Sequence, residues 1–313
     1  MPRPKRAQKD APRFVTRRQL LEKRSLRVLQ RSDVKTLDLG RMNDIFGDGE
    51  KGLPDGTILE VSGDSSAGKS TMMLDLAAAA QAAGMTVLWA DYENSFQKKW
   101  AARRGVVLDD PLLFELFSYE SLEKLGAKTK AGGRRVVAVQ TPSVEEIFDS
   151  MEEYISANHK LDKTRRFFIV CDSIAAMATD VVVESKSADS NMRTKMDLPS
   201  FMSQLMKKWM RITAVHAITL VFINQLRVKP GVMFGDPAYT PGGNAVPFFA
   251  HVRVRMKRVR LLRKDGKPYG VAGIMRLFKS KIGGAEGTEL GYKLFWRSGR
   301  TKLVKAASLF KKA

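Results

Sequence analysis

The chain has 313 residues, with 54 Lys and Arg against 33 Asp and Glu, for a net charge of +21. At 44% hydrophobic it can bury a core, and no apolar run approaches the ~18 residues that span a bilayer. A single cysteine, Cys171, excludes an intramolecular disulfide and a cysteine-built zinc cluster, three scattered histidines argue against a histidine-built metal site, and a reducing, cytoplasmic setting is expected.

The charge is regional. Residues 1–31 carry +9, residues 253–281 carry +10 and residues 293–312 carry +7, so the remainder is about −5. Clustered cations of this kind favour a polyanionic partner. Residues 1–35 read as a basic N-terminal arm and an oligomerisation segment, without the apolar stretch of a secretory signal. Within them Gln19–Leu29 has the spacing of a short amphipathic helix. Residues 36–290 read as the core, and residues 291–313 as a short basic C-terminal tail.

The core alternates strand and helix signals. Thr57–Ser62 is an apolar strand, Gly63–Ser70 a Gly/Ser loop, Thr71–Ala83 a helix stopped by Gly84, and Thr86–Ala90 a second strand. Residues 119–139 are polar and glycine-containing and read as a surface insertion. Ser143–Asn158 starts with a capping box and places Val144, Ile147, Phe148, Met151 and Ile155 at helical spacing. Phe167–Cys171 and Leu220–Ile223 are buried-type strands flanking a Met-rich helix, Leu198–Val215, whose Met202, Met206 and Met210 read as core. His251–Met256 and Ile274–Phe278 are later strands. Short apolar strands alternating with helices predict an α/β fold with a mostly parallel twisted sheet covered on both faces.

Gly63-Asp64-Ser65-Ser66-Ala67-Gly68-Lys69-Ser70 fits G-x-x-x-x-G-K-[ST] between a strand and a helix. The glycines let successive N–H groups curl around a phosphate, and the helix that follows presents its positive end to the same anion. Lys69 reaches the terminal phosphates, and the Ser70 hydroxyl suits Mg²⁺. Asp172 closes the strand Phe167–Cys171, where a carboxylate can hold Mg²⁺ or cap the helix-like Ile174–Met177. Asp91 and Glu93 close the strand Thr86–Ala90, and either can serve as general base. Glu93 is favoured because period two sets it out of phase with Tyr92. Asn224-Gln225 ends another strand, and its amides can report a γ-phosphate to the segment Arg227–Gly243, which has no periodicity.

These residues, in this order, resemble a RecA-type homologous recombinase over roughly Asp33 to Glu289. The block from Asn224-Gln225-Leu226-Arg227 to Gly242-Gly243-Asn244-Ala245 is the specific part of that resemblance. It implies a RecA-type P-loop ATPase core that uses ATP and Mg²⁺. Residues 63–70 and Thr71 would bind nucleotide, Trp100 would stack on the base, and Ser70 with Asp172 would hold the metal. Glu93, Lys69 and Gln225 would be catalytic. Val183–Met192 and Arg227–Gly243 would be the two DNA loops, with Arg193, Lys195, Arg227, Lys229, Gly242, Gly243 and Asn244 as DNA contacts. Lys279 and Lys281 would cross a subunit interface to a neighbour's ATP, with Phe248 and Arg253 also at that interface. Blander readings stand beside three of these: a core aromatic for Trp100, solvated lysines for Lys279 and Lys281, and ordinary packing for Phe248.

The implied protein forms helical filaments on single-stranded DNA, pairs them with homologous duplex and exchanges strands in recombination and repair. The implied partners are single- and double-stranded DNA, further copies of the chain and a single-strand-binding protein or loader. No membrane is involved, and the setting is a nucleoid or a phage-infected cell. A ring-forming helicase or translocase and a weakly hydrolysing mediator are the alternatives. The sequence departs from bacterial relatives at Pro230, Pro247 and Ser200. Arg193 or Lys195 is expected to take over a phosphate contact at the last of these. The short basic end, in place of a small domain and acidic tail, is more similar to bacteriophage recombinases.

Overall fold

The computed structural model describes residues 34–49, 51–118, 142–180, 182, 192–228, 231 and 238–310, and the side chains of residues 192–196 are not among those described. The N-terminal arm with Gln19–Leu29, the insertion 119–139, nearly all of Val183–Met192, and Lys229 and Pro230 lie outside the described residues. The unit treated below is Lys35–Ala313.

It opens with a small antiparallel pair, β1 (Thr36–Leu37) and β2 (Leu53–Pro54), around a short helix α1 (Asn43–Phe46). Then follow β3 (Ile58–Gly63), α2 (Lys69–Ala82), β4 (Thr86–Asp91), α3 (Lys98–Arg103), β5 (Phe114–Phe117), α4 (Val144–Leu161), β6 (Phe167–Asp172), α5 (Met192–Val215) and β7 (Ile218–Gln225). A two-residue pair, β8 (Arg227–Val228) with β9 (Ala238–Tyr239), and a short helix α6 (Ala245–Phe249) lead into four long strands. These are β10 (Val252–Lys264), β11 (Lys267–Ser280), β12 (Glu289–Phe295) and β13 (Arg300–Val304).

Nine of the strands form one sheet in the order β13-β12-β11-β10-β3-β7-β6-β4-β5. The six from β10 to β5 are parallel, and the remainder is an antiparallel meander. The fold is α/β, as the sequence predicts.

Period two sorts the core between the two faces. Along β6, Phe168 and Val170 join Met72, Met73 and Leu76 of α2, while Phe167, Ile169 and Cys171 join the other cluster with α4 and α5. Met202 and Met206 are fully buried against that second face, so the methionine stripe is core. The α4 N-terminus is a complete capping box: Glu146 N donates to Ser143 Oγ (3.2 Å) and Ser143 N to Glu146 Oε2 (3.0 Å).

Three boundaries differ from expectation. Helix α2 starts at Lys69 rather than Thr71, because the left-handed Gly68 (φ 88°) closes the loop two residues earlier. Helix α5 starts at Met192 and runs through Pro199, which forfeits one backbone hydrogen bond. The largest difference is at the C-terminal end: the 290/291 boundary falls inside β12, and residues 291–304 add two strands to the sheet instead of forming a tail. The alternation is present, with Tyr292 and Leu294 buried on either side of Lys293, but the net basic charge of the segment reads as a solvated tail.

Candidate functional site

The loop of residues 64–68 leaves the carboxyl end of β3, and α2 begins at once with Lys69. Two glycines are required by their surroundings. A Cβ on Gly63 would lie 2.1 Å from the Met256 carbonyl of β10. A Cβ on Gly68 would meet Leu294 of β12 at 2.3 Å, and its φ of +88° is one that side-chain-bearing residues rarely adopt. Asp64, Ser65 and Ser66 are exposed at the loop tip, whereas Ala67 is buried and its carbonyl accepts from Tyr292 Oη at 2.5 Å. Lys69 Nζ donates to the carbonyls of Gly63 (3.0 Å) and Asp64 (2.9 Å). Burial pulls its ammonium below the ordinary value, with Asp172, Glu93 and Asp64 opposing.

The sheet gathers the acids opposite that lysine. Asp91 and Asp172 are register partners at the ends of β4 and β6. Asp172 is 3% exposed, and burial pushes its carboxyl up to about 7. A hydrogen bond with Ser70 and the Lys69 charge pull it down, while Glu93 and Asp91 push it up further. Asp91 Oδ2 accepts from Phe96 N at 2.7 Å, whereas its buried Oδ1 has no protein partner. Glu93 accepts from the Ser173 hydroxyl. Asp172 sits beside Ser70 rather than capping the turn Ile174–Ala176. Among the described residues no three His, Cys, Asp or Glu side chains could hold a metal by themselves. Two hard oxygen donors, Ser70 and Asp172, beside an excess of buried carboxylate fit a cation such as Mg²⁺ that takes its other ligands from phosphate and water.

A cleft of about 410 Å³ opens next to these groups, lined by Ser70, Thr71, Leu74, Trp89, Ser95, Phe96, Gln97, Trp100, Asp172 and Trp296. Ser70 and Asp172 give it polar, metal-capable groups, and four of its lining residues, Trp89, Phe96, Trp100 and Trp296, are aromatic. Trp100 is half-buried and its Nε1 reaches Thr71 Oγ1 at 3.4 Å, so it lines the cleft and also packs on the core. Trp296, 41% exposed, was not singled out in the sequence. It lies in the turn after β12, and only the sheet brings that turn beside α2. No local spacing in the sequence marks it.

Gln225 is in register with Gly63 and is exposed at the end of β7. Its N–H donates to Asn224 Oδ1 (2.9 Å), and Asn224 Nδ2 donates to Glu60 Oε1 (3.0 Å) and to the Pro241 carbonyl (3.1 Å). Asn224 thereby ties the phosphate-loop strand to the far end of the segment that begins at Arg227. Arg227 is exposed and pairs with Tyr239. Gly242 and Gly243 pack against Ile174 and Pro199, and Asn244 leads into α6. Arg193 and Lys195 fall on α5, but their side chains, like all of Lys229, lie outside the described residues.

Lys279, Lys281, Phe248 and Arg253 come together, but at the opposite end of β3. Lys281 N donates to His251 O, and His251 N to Ile58 O, at the start of a strand whose six residues span ~20 Å. Lys279 Nζ donates to the carbonyls of Pro247 (2.7 Å) and Phe248 (2.9 Å). Lys281 Nζ donates to Phe248 O at 3.3 Å and lies 5.6 Å from its ring centroid. Phe248 is 68% exposed, which removes ordinary packing as its reading. Arg253 Nε donates to the fully buried Glu60 at 2.5 Å. Neither lysine lines the cleft of its own chain.

Residues 21–141 and 151–288 match the family model of the RecA N-terminal domain. A crystal structure of the RadB recombinase shares the fold, with a TM-score of 0.51 at 18% identity, over 84% of this chain and 98% of that one. The phosphate loop and its buried acids, with a family match over most of the sequence, show that this chain belongs to the RecA family.

Proposed function

We propose that this protein is an ATP-dependent recombinase that assembles as a filament on single-stranded DNA and exchanges that strand into homologous duplex. Its family is one of recombination ATPases that use nucleotide with Mg²⁺ and bind DNA as oligomers, which supports the coarser part of the reading. The observation that carries it is the continuity of one strand end: Gln225 stands beside Gly63, and the chain leaves it directly for the segment 227–243.

In this reading Lys69 and the loop amides hold the phosphates at the α2 N-terminus. Ser70 and Asp172 hold Mg²⁺, which when bound neutralises charge on the phosphate oxygens. Glu93, oriented by the Ser173 hydroxyl, takes the proton of the attacking water. Gln225 contacts the terminal phosphate, and Asn224 passes its position to Pro241, so both ends of the DNA segment respond. Arg193, Lys195, Arg227, Lys229 and the backbone at Gly242, Gly243 and Asn244 follow the DNA phosphates without reading bases. Lys279 and Lys281 approach the nucleotide of the next subunit, beside Phe248 and Arg253. Trp100 and Trp296 take the base.

The test is ATP hydrolysis with and without single-stranded DNA, beside strand exchange between a single strand and homologous duplex. DNA-stimulated hydrolysis with homology-dependent exchange is expected. Stimulated hydrolysis without exchange points to a translocase, and ATP-dependent DNA binding without hydrolysis points to a mediator.

A further inference from the structure

The β12–β13 hairpin is bolted to the helices beside the cleft by a largely buried cluster that no phosphate-loop pattern contains. Arg104, at the C-terminal end of α3, is 6% exposed. Its Nε donates to Asp75 Oδ1 of α2 at 2.7 Å, and one guanidinium nitrogen donates to both Asp75 Oδ2 and Thr301 Oγ1 of β13. Thr301 Oγ1 in turn donates to Asp75 Oδ2 at 2.5 Å. Three distant parts of the chain thus share one buried ion pair. The same guanidinium lies 5.7 Å from the centroid of the Trp100 ring. At the hairpin turn, Gly299 (φ +61°) abuts α3 so closely that a Cβ would sit 2.5 Å from the Arg103 carbonyl. The turn so fixed carries Trp296 into the cleft lining, three residues before Gly299.

We propose that Asp75, Arg104 and Thr301 are positioning residues that hold Trp100 and Trp296 as the two aromatic walls for a purine base. The proposal rests on the nucleotide reading above and concerns only the base end of the site. The phosphate end is held by other groups, Lys69, Ser70 and Asp172, none of which touches the cluster. Releasing the hairpin therefore weakens recognition of the base and spares recognition of the phosphates. A buried pair that served stability alone would show no such split.

The experiment uses the full chain and calorimetric titration with ATP and, separately, with inorganic tripolyphosphate. Thr301→Val keeps the side-chain volume and removes the hydroxyl. The double variant Asp75→Leu/Arg104→Leu removes both charges and strands neither. Each is expected to weaken ATP binding about three- to tenfold, the scale of one lost aromatic contact, with tripolyphosphate affinity unchanged. Trp296→Ala should do the same, and Thr301→Val/Trp296→Ala should be no worse than Trp296→Ala alone. Should the double leucine variant fail to fold, Thr301→Val carries the test. ATP affinity unchanged in folded clamp variants overturns the proposal, as does equal loss of ATP and tripolyphosphate, or full additivity with Trp296→Ala. A wild-type chain that binds neither ligand overturns the nucleotide reading itself, and the proposal with it.

Discussion

The two ends of β3 carry the same kinds of residue in opposite states of completion. At the carboxyl end, Lys69 faces Asp172, Glu93 and Asp64, and its ammonium is satisfied by loop carbonyls. At the amino end, Lys279 and Lys281 donate to backbone carbonyls of α6, and Lys281 also lies over the ring of the exposed Phe248. The buried acid there, Glu60, is already paired with Arg253. On the proposed reading, the first end is a self-contained phosphate site and the second is a cationic surface that would take its anion from a neighbour. In the proposed filament, a repeating head-to-tail contact, in which the amino end of one protomer meets the carboxyl end of the next, would supply that anion without closing a ring by necessity.

The strongest blow to the carboxyl end is Glu93→Gln. It preserves size and the contact with Ser173 but removes the proposed base, so DNA-stimulated phosphate release should fall at least about 100-fold. ATP-dependent DNA binding, followed by fluorescence anisotropy, should survive. Retained hydrolysis would move the general base to Asp91 and leave the comparison without its catalytic half.

Subunit mixing tests the comparison directly. Lys69→Ala and Lys279→Ala/Lys281→Ala should each be inactive, one in the phosphate loop and the other on the patch. In an equimolar mixture, about a quarter of head-to-tail contacts join an intact loop to an intact patch, so about a quarter of the wild-type turnover should return. No recovery would mean that both defects act within one protomer.

Arg227 sharpens the contrast from a third direction, because it belongs to neither proposed nucleotide surface. Arg227→Ala should lower single-strand affinity equally for all sequences and flatten the salt dependence by about one unit of log–log slope. A sequence-dependent loss would mean that this residue contacts base edges.

The carboxyl end was legible because its chemistry is local. Gly63 to Ser70 is contiguous, and each acid follows a recognisable apolar strand, so periodicity and loop composition sufficed. The capping box at Ser143 and Glu146 was legible for the same reason. The long β10–β11 hairpin was only half read. Asp265-Gly266 is its turn, both residues at positive φ, but its bulges at Arg253/Val254, Arg258/Arg260 and Leu262/Arg263 break the alternation that marks a strand. Trp296 and Thr301 were not legible at all. Their value comes from a sheet neighbour and from Asp75 and Arg104, about two hundred residues away, and no spacing rule reaches that far.

The mildest test concerns pH and separates stability from assembly at the amino end. Burial, with the Lys281 and Arg253 charges, lowers the Lys279 ammonium to about 8. In the unfolded chain that ammonium keeps its proton up to about 10.5. Between those values the unfolded state binds more protons, so this group's contribution to stability is present above the upper value and is lost as pH falls through the lower one. Alkaline pH therefore relieves the isolated protomer at Lys279 while removing the cation that the proposed contact would offer to a neighbour's phosphate. The onset of ATP-dependent self-association, followed by light scattering, should need several-fold more protein at pH 9 than at pH 7.5. The melting temperature of Lys279→Met, with no proton to lose, should gain on wild type as pH falls over the same interval. Lys279→Arg keeps its charge throughout and should flatten the association profile. An unchanged wild-type onset between those pH values would mean that the patch docks through Phe248 and Arg253, with Lys279 a bystander.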